Sequence, residues 1–112
     1  MPNTFKNYTK DGSAVAASTD MDVYTVPGST TATVIGLTVA NITTSQITVD
    51  VKLITSSGDD TFILKTAPVP AGSGIVPIGG DQKLVMETGD ILRVIPDTAN
   101  SADSTVSVLE IS

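Results

Sequence analysis

The chain has 112 residues, a net charge of −6, a pI near 4.1, and no His, Cys or Trp. That length suits a single domain with one core and no need of a disulfide or structural metal, and the missing residues exclude Ser-His-Asp and Cys-His catalysis and all thiol chemistry. Six Lys and Arg against twelve Asp and Glu cannot neutralise a row of phosphates, so no nucleic-acid partner is expected, and no apolar run approaches the roughly 20 residues of a membrane span.

Residues 1–19 read differently from the rest. Met1–Lys6 holds no apolar signal core. Phe5 and Tyr8 lie among Lys6 and Lys10, and a small-residue stretch, Ser13-Ala14-Val15-Ala16-Ala17-Ser18, follows. Weak periodicity predicts an extended N-terminal arm over 1–19, with the folded domain over 20–112. Phe5, Lys6, Tyr8 and Lys10 are its candidate partner-binding residues: the rings dock on a neighbour and the lysines meet acidic groups. In the competing reading the arm packs back on its own domain. If the arm is an appendage, deleting residues 1–12 leaves the domain folded.

From Asp20 the period is that of strands. Met21–Val26 is a first strand, stopped by Pro27-Gly28. Tyr24 precedes that turn and is expected at a rim, as a further partner contact. Thr30–Ile42 is a long strand with Ile35, Leu37 and Val39 on one face and Val34, Gly36, Thr38 and Ala40 on the other. Ile47, Val49, Val51 and Leu53 alternate with Thr48, Asp50, Lys52 and Ile54, the pattern of a half-buried strand. After Ser56–Asp60 the chain returns as a hairpin partner with Phe62 inward, ended by Pro68 and Pro70. Ile75–Ile78 is short, and Pro77 confines it to an edge. Gly79-Gly80-Asp81 turns the chain again. Lys83–Glu87, with Leu84 and Met86 inward, leads through Thr88-Gly89-Asp90 to Ile91–Ile95. In Thr105–Ile111 the phase slips: Val106 and Val108 share one face, Leu109 and Ile111 the other, as a bulge or two-sided burial would produce.

This makes about eight strands with turn signals about every 8–12 residues, and no helical period. The fold class is all-β: an antiparallel β-sandwich, jelly-roll-like, with an extended N-terminal arm. No Cys…Trp…Cys framework points to an immunoglobulin domain.

Few residues here suit chemistry. Asp20 and Asp22 share a strand face and Asp59-Asp60 lie in a turn, but no calcium-loop spacing surrounds either pair. Gly72-Ser73-Gly74 and Gly79-Gly80 are followed by no helix whose amides could cradle a phosphate. No catalytic residue, metal or cofactor is expected, and no enzymatic activity. Sugar binding by a small sandwich uses exposed aromatic platforms; here Tyr8 or Tyr24 would have to supply them. Thr25, Thr31, Thr33, Thr38 and Thr48 instead give outward faces that pack closely without desolvating charge. With Val34 and Ile54 also outward, a second buried face is expected, as in a homo-oligomer.

Val23-Tyr24-Thr25-Val26-Pro27-Gly28-Ser29-Thr30-Thr31-Ala32-Thr33-Val34-Ile35-Gly36-Leu37 resembles the opening of small virion structural proteins of tailed bacteriophages. So do Ala67-Pro68-Val69-Pro70-Ala71-Gly72 and Lys83–Leu92, and the resemblance runs from about Asp20 to Ile111. It implies a β-sandwich that assembles on the particle, either a head decoration (cement) protein or a tail, baseplate or fibre module. For a cement protein it implies the major capsid protein as partner, a homotrimer with terminal arms, and a place on the capsid surface after synthesis in the host cytoplasm. The alternative, a tail or fibre module, implies a host-surface glycan.

Overall fold

Threonine, valine and isoleucine crowd the preceding turn of a helix and fit the open pleat of a strand, so their runs fold as strands. The computed structural model describes residues 3–12, 15–79 and 83–112. It contains β1 (Asn3–Lys10), β2 (Met21–Thr25), β3 (Thr31–Asn41), β4 (Ile47–Ile54), β5 (Asp60–Val69), β6 (Gly74–Ile78), β7 (Leu84–Met86), β8 (Ile91–Pro96) and β9 (Ala102–Ile111). Met1, the Ser13-Ala14 pair and the Gly80-Asp81 part of the expected turn lie outside the described residues.

The strands form two antiparallel sheets packed face to face. The first runs β1-β9-β3, with β7 on one half of the far side of β3 and β6 on the other half. The second runs β2-β8-β4-β5. With β6 and β7 taken as one interrupted strand, the first strand pairs with the last, the second with the last but one, the third with β6/β7, and the fourth with the fifth. A long hairpin rolled up once gives this order, so the sandwich is a jelly roll.

Val34, Leu37, Val39, Ile47, Val49, Val51, Met86, Leu92, Val94, Val106 and Val108 fill the space between the sheets. Burial of such side chains contributes about 1.5–3 kcal/mol each. Two buried polar residues tie the loops at the rims. Asn41 donates from Nδ2 to the Ser45 and Val69 carbonyls and accepts from the Thr43 N–H and hydroxyl. Asp90 accepts from the N–H groups of Ser56 and Glu87, so the Thr88-Gly89-Asp90 turn staples the β4–β5 turn. Gly89 sits there at φ +86, in the left-handed region that favours glycine.

The alternation of β4 is as its sequence reads. Elsewhere bulges move the phase. In β3 the pairing with β9 shifts between Val34 and Gly36, so Val34 is buried with Leu37 and Val39, not outward. β9 itself does not slip: Ala102, Ser104, Val106, Val108 and Glu110 all face in, and Leu109 and Ile111 are ordinary outward residues. In β5, shifts against β4 leave Phe62 43% exposed, on the outside and not in the core. β5 also runs through Pro68 to Val69, because an edge strand tolerates a residue that cannot donate.

The segment 1–19 contains a full strand. Residues 3–10 pair with β9 along their length, from Asn3 opposite Ile111 to Lys10 opposite Ser104.

Candidate functional site

Directly opposed residues of neighbouring strands point to one face. Tyr8 opposes Val106 and Lys6 opposes Val108, so both lie on the core side of β1, whereas Phe5 and Asn7 point outward. The candidate residues therefore divide into two groups.

The inward group meets a residue that sequence reasoning passed over. The phenols of Tyr8 and Tyr24 both donate to Oε2 of Glu110, each at 2.7 Å. Their rings lie 4.7 Å apart, tilted by 37°. Tyr24 is 2% exposed and so is a core residue, not a rim contact. The reason is a bulge in β2 between Asp22 and Tyr24, which turns both Val23 and Tyr24 inward. Burial pushes the Glu110 carboxyl up, but the bonds from Tyr24 and Tyr8 and the Lys6 charge outweigh it and hold the group below its usual range. Burial and then the bond to Glu110 push Tyr8 up to about 12, and move Tyr24 further in the same direction. At neutral pH the cluster is one carboxylate held by two neutral phenols. It joins β1 and β9 of the first sheet to β2 of the second and acts as a latch. A signal for Glu110 exists in the sequence: it continues the inward series of Val106 and Val108, where a carboxylate must find donors.

The outward group belongs to the outer face of the first sheet. One row crosses four strands, Phe5–Leu109–Thr33–Val85, and the next runs Asn7–Ser107–Gly36. Phe5 is 74% and Val85 63% exposed. The small second row and the Ile35 bulge leave a shallow hollow of about 260 Å³, lined by Phe5, Lys6, Asn7, Ile35, Ser107 and Val108. Along β9 from Thr105 to Ile111, and at the positions opposite on β1, β3 and β7, no outward residue is charged. Lys10 opposes the buried Ser104 and so shares the core side of β1 with Lys6 and Tyr8, but at the end of the strand it is exposed.

The outer face of the second sheet is the reverse. Its central row runs Asp22–Arg93–Lys52–Phe62. Arg93 bonds Asp22 at 2.6 Å and pairs with Asp20 at 3.2 Å, while Lys52 and Lys65 both lie 4.8 Å from the Phe62 ring centre. The expected Asp20 and Asp22 pair is thus engaged by an arginine. A polar hollow of about 160 Å³ on this sheet has Asp50 and Asp97 in its lining. Their carboxylates accept from the backbone N–H groups of Thr66 and Thr48. Among the described residues no three His, Cys, Asp or Glu side chains stand together as a metal site. Tyr24, buried in the core, offers no ring face for a sugar to stack on, while Tyr8 is half-buried beside it.

Fold and faces together define a class: a jelly-roll sandwich with one charge-paired outer face and one outer face that carries no charge along β9 from Thr105 to Ile111. No protein-family model matches the sequence, and no curated protein matches it either.

Proposed function

We propose that this chain is a structural protein of a bacteriophage virion, a capsid decoration protein that binds the shell of the major capsid protein and further copies of itself. The observation that carries this reading is the uncharged patch on the outer face of the first sheet, centred on β9 from Thr105 to Ile111, on a chain of net charge −6. Acidic residues keep a β protein in solution. Where they stop, a flat surface of Thr, Val, Ile and Phe suits contact with another protein better than contact with water. The resemblance of the Val23–Leu37, Ala67–Gly72 and Lys83–Leu92 segments to phage virion proteins supplies the partner. The mechanism is cross-bridging: each copy buries area against neighbouring capsid subunits, which then part less readily under the pressure of packaged DNA. The Tyr8–Tyr24–Glu110 latch suits that task, because it keeps the edge strand from peeling under load.

Purified chain should be mixed with undecorated shells of the major capsid protein encoded in the same genome. Saturable co-sedimentation and a raised shell melting temperature are the expected results. Shells that neither retain the protein nor gain stability would overturn the assignment.

A further inference from the structure

We propose that the outer face of the first sheet is a homotypic contact: two copies of the chain pack face to face across a two-fold axis, each seating its Phe5 ring in the hollow over Ser107 and Gly36 of the other. The inference rests on the same uncharged patch as the preceding reading and concerns the free protein in solution, where no shell covers that patch, so it holds whether or not the chain coats a capsid.

Three observations identify the occupant as a second copy. The first is charge. Two molecules of net charge −6 repel, so a second copy approaches closely only where neither presents a charge. They approach at least cost through a face with no charge of its own, and the patch centred on β9 is such a face. The opposite face, with its Asp22–Arg93–Lys52 row, already pairs its charges internally.

The second is shape. Phe5 projects at the rim of the hollow that Ser107 and Gly36 leave open and Ile35 walls. Knob and hollow are adjacent on one face, so a two-fold axis lying between the stacked sheets and midway between them exchanges the two. Each ring then falls over the partner's hollow. Such self-complementarity is what an isologous interface requires, and a central aromatic anchor in a pocket is its usual energetic centre.

The third is size. A strand spacing of about 4.8 Å and a rise of about 3.4 Å per residue make the patch about 400 Å² on each copy, or about 800 Å² in the pair, below the roughly 1,200 Å² of a stable interface and in the range of weak, transient contacts. The pair is therefore weak, and forms as concentration rises. It is also two-fold, where the resemblance to cement proteins implies a trimer.

Sedimentation velocity on the intact chain from about 5 to about 500 μM, where a contact of this size associates, tests the proposal. Wild type should pass from monomer to dimer. Phe5→Asp and Ser107→Lys, both at exposed positions, should each raise the dissociation constant at least about 30-fold. An equimolar mixture of the two should form a heterodimer, because the new carboxylate then meets the new ammonium while the other half of the contact is unchanged. Phe62→Asp, on the opposite face, should pair as wild type does. A wild-type chain that remains monomeric over the whole range, or that forms trimers, overturns the proposal. So does a Phe5→Asp chain that associates as wild type, or a mixture that stays monomeric.

Discussion

Glu110 concentrates the pH response of this molecule in three side chains. Its carboxyl is held below the usual 4.5 in the fold, so its contribution is present above that value and is lost as pH falls through the lowered one. Glu110→Gln should cost about 1–3 kcal/mol near neutral pH, the worth of charge-assisted bonds at a buried site. It should also flatten the acid limb of stability, which denaturant titrations at about pH 7 and about pH 3 would show. The tyrosines act in the opposite direction. Their folded values lie above the ordinary 10.0, so their contribution is full below that pH and fades as pH rises toward 12 and beyond. The chain has only two tyrosines, so tyrosinate absorbance reports on this cluster alone. Native protein at about pH 11 should show little tyrosinate, and both phenols should ionise together when the fold opens. A separate residue offers a gain. The Ser104 hydroxyl is buried with no hydrogen-bond partner among the described residues. Ser104→Ala should raise stability by up to about 1 kcal/mol, read from the shift in denaturant midpoint.

At the scale of elements, the N-terminal segment shows best what could be read and what could not. Its extended form was legible in its weak periodicity, and its return to its own domain was one of two open readings. Pairing with β9 was not legible, because the partners stand about a hundred positions away and no local pattern records a cross-strand register. Deleting residues 1–12, on the sequence reading of an appended arm a change that leaves the domain folded, removes an entire strand and half of the donors to Glu110. The truncated chain should melt well below the intact one by circular dichroism, or fail to fold. Gly12 is the hinge of this arrangement. A Cβ there would fall on the Ala102 carbonyl oxygen, while the Gly12 N–H donates to Asp103. Gly12→Ala should cost about 1–3 kcal/mol, and faster amide exchange in β1 should accompany it. The misplaced phases of β2, β3 and β5 share one cause. A bulge inserts one residue and exchanges the two faces beyond it, and apolar residues on both sides of the break conceal it. β4, between two strands of its own sheet and with Thr48, Asp50 and Lys52 alternating against its buried residues, kept its phase readable.

For the whole molecule, strand number and turn spacing carried the fold class, while the order of strands is set by long-range pairing that no local pattern records. The two outer faces were half legible. Outward threonines announced a surface fit for packing, but which sheet bore them without charge depended on register. The division has a consequence in salt. Added ions screen the repulsion of a chain at −6, while the exposed Arg93 and Lys52 pairs contribute little to lose. Raising NaCl from about 0.05 to about 0.5 M should therefore raise the melting temperature slightly and strengthen self-association, against the usual weakening of contacts made by ion pairs.

The pairing of the first strand with the last sets Asn3 directly across from Ile111. A short linker could close the chain into a ring, and new ends could be opened at the exposed Ser56–Asp59 turn, whose Gly58 has open space around it. The same geometry governs cargo. A guest protein fused at either end emerges beside the Phe5 row and would shield it, whereas one inserted at Gly58 would hang from the second sheet and leave that row clear.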